Sequence, residues 1–238
     1  METIKVPFKN VKMVAHRGLS GLEKENSLAA FIAAGNRSYF GIECDIHATS
    51  DGQYVVLHDA DTTRVAGVSL NVEAAPLEEV RKIRLLDRNG KSRGDLIIPT
   101  LQEYISVCHR YDKVSVLELK SNFTSEQLVE IVQIIQNEGH LQQTVFISFI
   151  LDNLIKLRAI LPNQPIQFLT GEYNDELLKT LAAHHLDLDI HFSQINKQRV
   201  KTLHKMGILV NCWTVDDPND AMKLRKDRVD FITSNILE

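Results

Sequence analysis

Cysteine is scarce in this chain. The three in 238 residues, Cys44, Cys108 and Cys212, stand far apart without CxxC spacing, which excludes a disulfide framework and a zinc ribbon. Long apolar runs are absent too: no stretch of roughly 18 apolar residues occurs, so no membrane-spanning helix is expected. The segment Met1 to Lys12 lacks an apolar run of signal-peptide length. These features read as a soluble, cytoplasmic protein with no stable membrane insertion. Positive charge is not in surplus. Lysine and arginine total 27 against 31 acids, a net charge of −4, so the electrostatic footprint of a nucleic-acid binder is missing. Proline numbers only six, no Pro- or Ser-rich linker divides the chain, and one domain over residues 1–238 is expected. With 44% apolar and 24% charged residues the composition is globular rather than disordered. Histidine is the plentiful residue, with nine.

Short apolar runs recur: Met13 to Ala15, Tyr39 to Ile46, Val114 to Leu119, Val145 to Ile150, Ile166 to Leu169, Leu186 to Ile190, Ile208 to Trp213 and Val229 to Thr233. Each has the length and composition of a buried strand. Helical patterns lie between most of them, over Ser27 to Ala34, Ser125 to Asn137, Asp152 to Leu161, Asp175 to His184, Asn196 to Met206 and Pro218 to Lys226. Thr124 with Gln127 has capping-box spacing, Asn26 and Ser27 are cap candidates, and Gly35, Gly139 and Gly207 fall where helices end left-handed. Eight strands alternating with helices predict an α/β fold, a single (β/α)8 TIM barrel, ahead of a doubly wound open sheet.

Two segments depart from the alternation. Residues 60–98 are polar and strand-poor, with one helical stretch around Leu77 to Leu86, and read as an elaboration of a loop. Tyr54 to Leu57 is strand-like but follows the second strand after only Ser50-Asp51-Gly52-Gln53, too short for a parallel crossover, so an antiparallel hairpin is expected. The insertion after strand two therefore spans about 47–98. A two-residue Asp51-Gly52 turn would set Ser50 against Gln53, Thr49 against Tyr54 and Asp45 against His58, bringing Glu43, Asp45 and His58 to one face. A three-residue loop would shift that pairing by one.

Barrel enzymes carry their catalytic groups at the C-terminal ends of strands. Those positions hold His16-Arg17-Gly18, Glu43-Cys44-Asp45, Glu118-Leu119-Lys120 and Asn211-Cys212-Trp213. Charges ending apolar runs are costly unless compensated. Glu43, Asp45 and Glu118 form a hard oxygen set that suits Mg²⁺ or Ca²⁺ better than Zn²⁺.

In order along the chain, His16-Arg17-Gly18, Glu25-Asn26-Ser27, Glu43-Cys44-Asp45, Thr49-Ser50-Asp51-Gly52, His58-Asp59, Ile98-Pro99-Thr100-Leu101, Glu118-Leu119-Lys120 and Trp213-Thr214-Val215 resemble the pattern of the glycerophosphodiester phosphodiesterases. The resemblance runs from about residue 11 to the C-terminus. It implies a barrel with the hairpin after strand two, a divalent cation, and hydrolysis of small-molecule glycerophosphodiesters to an alcohol and glycerol phosphate. Position by position it implies His16 and His58 as the acid/base pair and Glu43, Asp45 and Glu118 as metal ligands. Arg17 and Lys120 would contact phosphate, and Trp213 would wall the pocket. Three carboxylates and M²⁺ sum to −1, and the two basic residues bring the site to +1, which suits an anion. Either histidine could be the base, and either water or a neighbouring glycerol hydroxyl could attack.

Glu25 and Asp59 read as supporting residues. His191, at a strand end, is a candidate for touching substrate, and Asp189 with His191 has the DxH spacing of some metal-dependent hydrolases. His47 is placed at the rim, while His109, His140, His184, His185 and His204 read as structural. The chain departs from the family pattern at Lys24, where Pro is common, and at Arg228 to Asn235, where the usual GVDGIITD loses a Gly and its final Asp. Alternatives are a phospholipase D-like action on lysophospholipids, or a non-catalytic barrel that binds phosphate esters.

Overall fold

The structure, a computed structural model, describes residues 2–7 and 10–238. The chain begins with strand β1 (Lys12–Ala15), helix α1 (Leu28–Gly35), strand β2 (Gly41–Ala48) and a short partner β3 (Tyr54–Val56). Two single-turn helices, α2 (Thr63–Ala66) and α3 (Leu77–Val80), precede a ribbon of β4 (Arg84–Leu86) and β5 (Ser92–Ile97). Regular alternation then resumes with α4 (Leu101–Arg110), β6 (Val114–Leu119), α5 (Ser125–Asn137), β7 (Thr144–Ser148), α6 (Leu151–Ile160) and β8 (Ile166–Thr170). It ends with α7 (Asp175–His184), β9 (Asp187–His191), α8 (Lys197–Lys205), β10 (Val210–Trp213), α9 (Pro218–Asp227) and β11 (Phe231–Ser234).

Eight parallel strands close in the order β1, β2, β6, β7, β8, β9, β10, β11 and back to β1, which is the expected barrel. Inside it, Val14, Val116, Val145, Ile147 and Leu169 fill the space between strands. The outer faces of the strands meet the apolar stripes of the helices. Tyr104 of α4, fully buried, donates its hydroxyl to the Ile42 carbonyl at 2.7 Å and meets Phe31 of α1 edge-on. Burying each such large side chain stabilises the fold by about 1.5–3 kcal/mol. Among the described residues no helix is long and apolar enough to cross a membrane.

Most expected boundaries fall within two residues, and the Thr124–Gln127 capping box and the Ser27 cap are present. Helix α4 was not among the expected helices, although Leu101, Tyr104, Ile105 and Cys108 repeat at helical spacing and Thr100 with Glu103 forms a capping box. Gly139 and Gly207 are left-handed, but Gly35 is not; a Cβ there would meet the Tyr111 ring at 2.5 Å, so packing explains it.

The hairpin register differs from the two-residue turn by one position. Ala48 pairs with Tyr54 and Ile46 with Val56, leaving Ser50, Asp51 and Gly52 as a three-residue loop with Gly52 at φ +74°. Thr49 closes it by donating its N–H to the Gln53 carbonyl at 2.8 Å. A left-handed glycine ending a type I turn is the usual three-residue hairpin. Asp45 consequently lies opposite Leu57, not His58. The expected helix over Leu77 to Leu86 is also corrected: it is one turn, and Arg84–Leu86 pairs with β5 instead. Val55, Leu57, Val65, Val72, Val80, Leu85, Leu96 and Ile98 give this insertion a core of its own.

Between β1 and α1, Arg17 (φ 54°) and Gly18 (φ 76°) turn the chain sharply. A Cβ on Gly18 would lie 2.7 Å from the backbone of Ala30. Replacing Gly18 by Ala combines a left-handed alanine with overpacking, and is expected to cost at least about 2 kcal/mol. A urea midpoint that falls accordingly bears this out; an unchanged midpoint contradicts it.

Candidate active site

The C-terminal ends of the barrel strands surround a cleft of about 110 Å³ lined by His16, Arg17, Glu43, His58, Glu118, Ile147, Phe149, Leu169, Asp189, Trp213, Thr214 and Thr233. One wall is charged and the other is apolar. On the charged wall, Glu43, Asp45 and Glu118 are all buried and offer oxygens within 4.8 Å of one another. Three carboxylates this close strain each other. Burial, then Asp45 and Glu118, push the Glu43 carboxyl well above the usual range, and burial followed by Asp45 raises Glu118 to about 8. At Asp45 burial is outweighed by Arg17 and Lys120, and the group is held below the ordinary carboxylate value. Among the described residues, Asp45 Oδ1 is buried without a hydrogen-bond partner. An oxygen-only donor set that cannot fully ionise on its own and carries an orphaned oxygen fits a hard divalent cation.

Two cations sit beside the acids. Arg17 donates its backbone N–H to Glu43 Oε2 at 2.7 Å, and its guanidinium lies 2.9 Å from Glu25 and 3.5 Å from Asp45. Lys120 Nζ is 2.9 Å from Glu118 and 3.6 Å from Asp45. Asn26, left-handed at φ 53°, donates to Asp45 Oδ2 at 2.7 Å. Glu25 does not reach the carboxylate cluster. It is clamped between Arg17 and Arg64, which holds its carboxyl down at about 2 against the opposing effect of burial. Arg64 also grips Asp59 at 2.5 Å. The polar insertion offered no pattern that singled out Arg64, which links the turn after β1 to the loop after β3.

His58 reaches the cleft because the chain leaves the ladder at the end of β3, not through its register. Its Nδ1 donates to Asp59 Oδ1 at 2.6 Å. His47, expected at the rim, is buried beneath this loop, with Nε2 3.2 Å from the His58 carbonyl and Nδ1 2.8 Å from Glu73. Trp213 lines the apolar wall, edge-on to Phe149 and to His191. His191 stays at the rim, its Nδ1 2.8 Å from the Ser193 hydroxyl, and does not line the cleft. Asp189 lines it and is fully buried, with burial pushing its carboxyl well above the usual range.

The model of the glycerophosphoryl diester phosphodiesterase family matches residues 16–237. The chain belongs to that family. It is 28% identical over 229 residues to the glycerophosphodiester phosphodiesterase of Caldanaerobacter subterraneus subsp. tengcongensis, covering 94% of this chain and 93% of the relative. Among solved structures it is similar to an Oleispira antarctica phosphodiesterase in complex with the product sn-glycerol-3-phosphate, at 26% identity and a TM-score of 0.85, over 95% and 94% of the two chains. The glycerophosphodiester phosphodiesterase of Thermotoga maritima shares the fold, with 24% identity, a TM-score of 0.77 and 96% of each chain covered.

Against the glycerophosphodiester phosphodiesterase pattern, Asn235 in place of the final Asp has a chemical consequence that the sequence reading passed over. Its amide donates to Asp216 Oδ2 at 2.6 Å, so its Oδ1 faces His16 Nδ1 at 2.8 Å. An amide oxygen can only accept, so His16 carries its proton on Nδ1 and leaves Nε2 with a lone pair. Burial, then Arg17, lower His16 to about 4 and outweigh the Asn235 contact and the charges of Asp45 and Glu25, which favour the protonated ring. Exchanging the two partners, Asp216→Asn with Asn235→Asp, puts a carboxylate on Nδ1 and stabilises the imidazolium. The His16 pKa then rises, the ring is protonated at higher pH, and the acid limb of kcat/KM moves upward. An unmoved limb in the exchanged protein would show that this contact does not set the protonation of His16.

Proposed function

We propose that the chain hydrolyses glycerophosphodiesters to an alcohol and glycerol phosphate, with a divalent cation held by Glu43, Asp45 and Glu118 and with His16 and His58 as base and acid, the barrel and its insertion acting as one domain. One observation carries the reading. Two imidazoles border the same cleft as Glu43 and Glu118 of the carboxylate cluster, and each commits Nδ1 to an oxygen, so each keeps Nε2 for substrate.

The different partners of the rings support dividing the roles. His16 sits against a neutral amide, stays uncharged at neutral pH and is suited to take the proton of the attacking hydroxyl, whether that belongs to water or to the glycerol carbon next to the ester. His58 is lowered by burial, but Asp45 and Asp59 oppose that effect, and the Asp59 carboxylate is ready to balance an imidazolium. Protonated, it delivers its Nε2 proton to the departing alkoxide. Arg17 and Lys120 face the nonbridging oxygens, whose negative charge they offset. A bound divalent cation supplies further positive charge there and lowers the pKa of a coordinated hydroxyl.

Replacing His16 or His58 with alanine is expected to lower kcat by at least ~10²-fold each, measured on glycerophosphocholine. Asp59→Asn removes the carboxylate that raises the pKa of His58. The acid then loses its proton at lower pH, the alkaline limb shifts downward, and activity at pH 7 falls by less than in His58→Ala. Rates near wild type in both histidine variants contradict the assignment.

A further inference from the structure

Among the described residues, three buried polar atoms on side chains that line the cleft have no hydrogen-bond partner: Arg17 Nε, which lies 3.5 Å from Asp45 on the charged wall, and Asp189 Oδ1 and Trp213 Nε1 away from it. Asp189 and Trp213 belong neither to the carboxylate cluster nor to the acid/base pair. A buried donor or acceptor left unmade costs about 1–3 kcal/mol, and a carboxyl more, so such groups persist where a ligand completes them. Neighbouring polar side chains do not fill this role. Asn211 bonds Gln167 at 3.3 Å and Thr233 bonds Asn211 at 3.2 Å, and these contacts bypass Asp189.

The location is equally specific. Asp189 is on β9, which lies four strands from β2 in either direction around the barrel, so it faces Glu43 and Asp45 from the opposite wall. It is only 2% exposed and shares its side of the cleft with Leu169 and Trp213. A phosphate drawn to Arg17, Lys120 and the acids' cation would send its three-carbon substituent across the cleft. The hydroxyl at the far end of that substituent arrives at the apolar wall stripped of water.

We propose that Asp189 and the indole N–H of Trp213 bind the terminal hydroxyl of the glycerol unit, the carboxyl accepting its hydrogen and the indole donating to its oxygen. The assignment rests on the glycerophosphodiester reading above and deepens it, because this is the hydroxyl that carries the acyl chain in a 1-acyl lysophospholipid. Acylation removes the hydrogen that Asp189 accepts. The chain therefore selects fully deacylated diesters, since a site built to bond a hydroxyl rejects a ligand that lacks it far better than an apolar pocket does.

The test compares glycerophosphocholine with its analogue lacking only the terminal hydroxyl, which retains the hydroxyl next to the ester. Calorimetric affinities for sn-glycerol 3-phosphate and its 1-deoxy form accompany the kinetics. Wild type is expected to prefer the intact compound at least tenfold in both measurements. Asp189→Leu should lower kcat/KM for glycerophosphocholine at least tenfold more than for the analogue, while Asp189→Asn, whose amide oxygen still accepts, keeps most of the preference. Equal handling of both compounds by wild type, or a proportionate loss on both in Asp189→Leu, overturns the proposal. If Asp189→Leu does not fold, the wild-type ratio and Asp189→Asn decide. If nothing is hydrolysed but affinity still depends on the terminal hydroxyl and on Asp189, the hydroxyl site stands and the hydrolytic reading falls.

Discussion

Three carboxyl groups are enclosed at one end of the barrel, and much of the surrounding structure makes that arrangement tolerable. Two unit charges 4 Å apart repel by about 4 kcal/mol at an effective dielectric of 20, so three full charges cannot share the site alone. Two of the three are accordingly pushed toward their neutral forms, while Asp45 stays ionised between Arg17 and Lys120. The left-handed Arg17-Gly18 turn then has a clear purpose. It directs a backbone N–H at Glu43 and a guanidinium at Asp45 from one residue, and the close approach of α1 behind it admits only glycine at position 18. Asn26, also left-handed, closes the other side of Asp45.

The same enclosure divides the cleft. Charge is gathered on the β1, β2 and β6 side, where an anionic diester is attracted, and the opposite side offers Ile147, Leu169 and Trp213, with Asp189 as its buried acid. Between them stand two histidines that differ in what holds them: an amide oriented by Asp216 for one, and a carboxylate anchored by Arg64 for the other. In the proposed reaction these different partners suit the two rings to opposite ends of a proton transfer. His47 and Glu73 brace the loop carrying the second histidine, tying the insertion to the barrel.

Much of this was legible in the chain because barrel strands are short apolar runs and their functional residues interrupt those runs. Glu43 and Glu118 betrayed themselves as charges inside otherwise apolar strands. The hairpin shows where such reading loses accuracy. Asp51-Gly52 permits both a two- and a three-residue loop, and the longer one is held by Asp51, which accepts locally from the Thr49 hydroxyl and across the insertion from the Leu77 N–H. His58 nonetheless arrives, because it lies beyond the paired residues. Arg64 left no trace in the sequence, since an arginine in a polar loop resembles any solvated arginine until its two carboxylates are known. Asn235 was visible as a departure, but its meaning depends on a bond to a residue 219 positions away. Asp189 was noted only for its spacing from His191, and its isolation is a property of the closed barrel.

The central claim is that a divalent cation completes the carboxylate cluster and that the completed site cleaves glycerophosphodiesters. Turnover of glycerophosphocholine before chelation, after EDTA, and after Mg²⁺ or Ca²⁺ is restored tests it most directly. The account predicts activity that EDTA abolishes and one of these ions returns; turnover that persists undiminished in EDTA would contradict it.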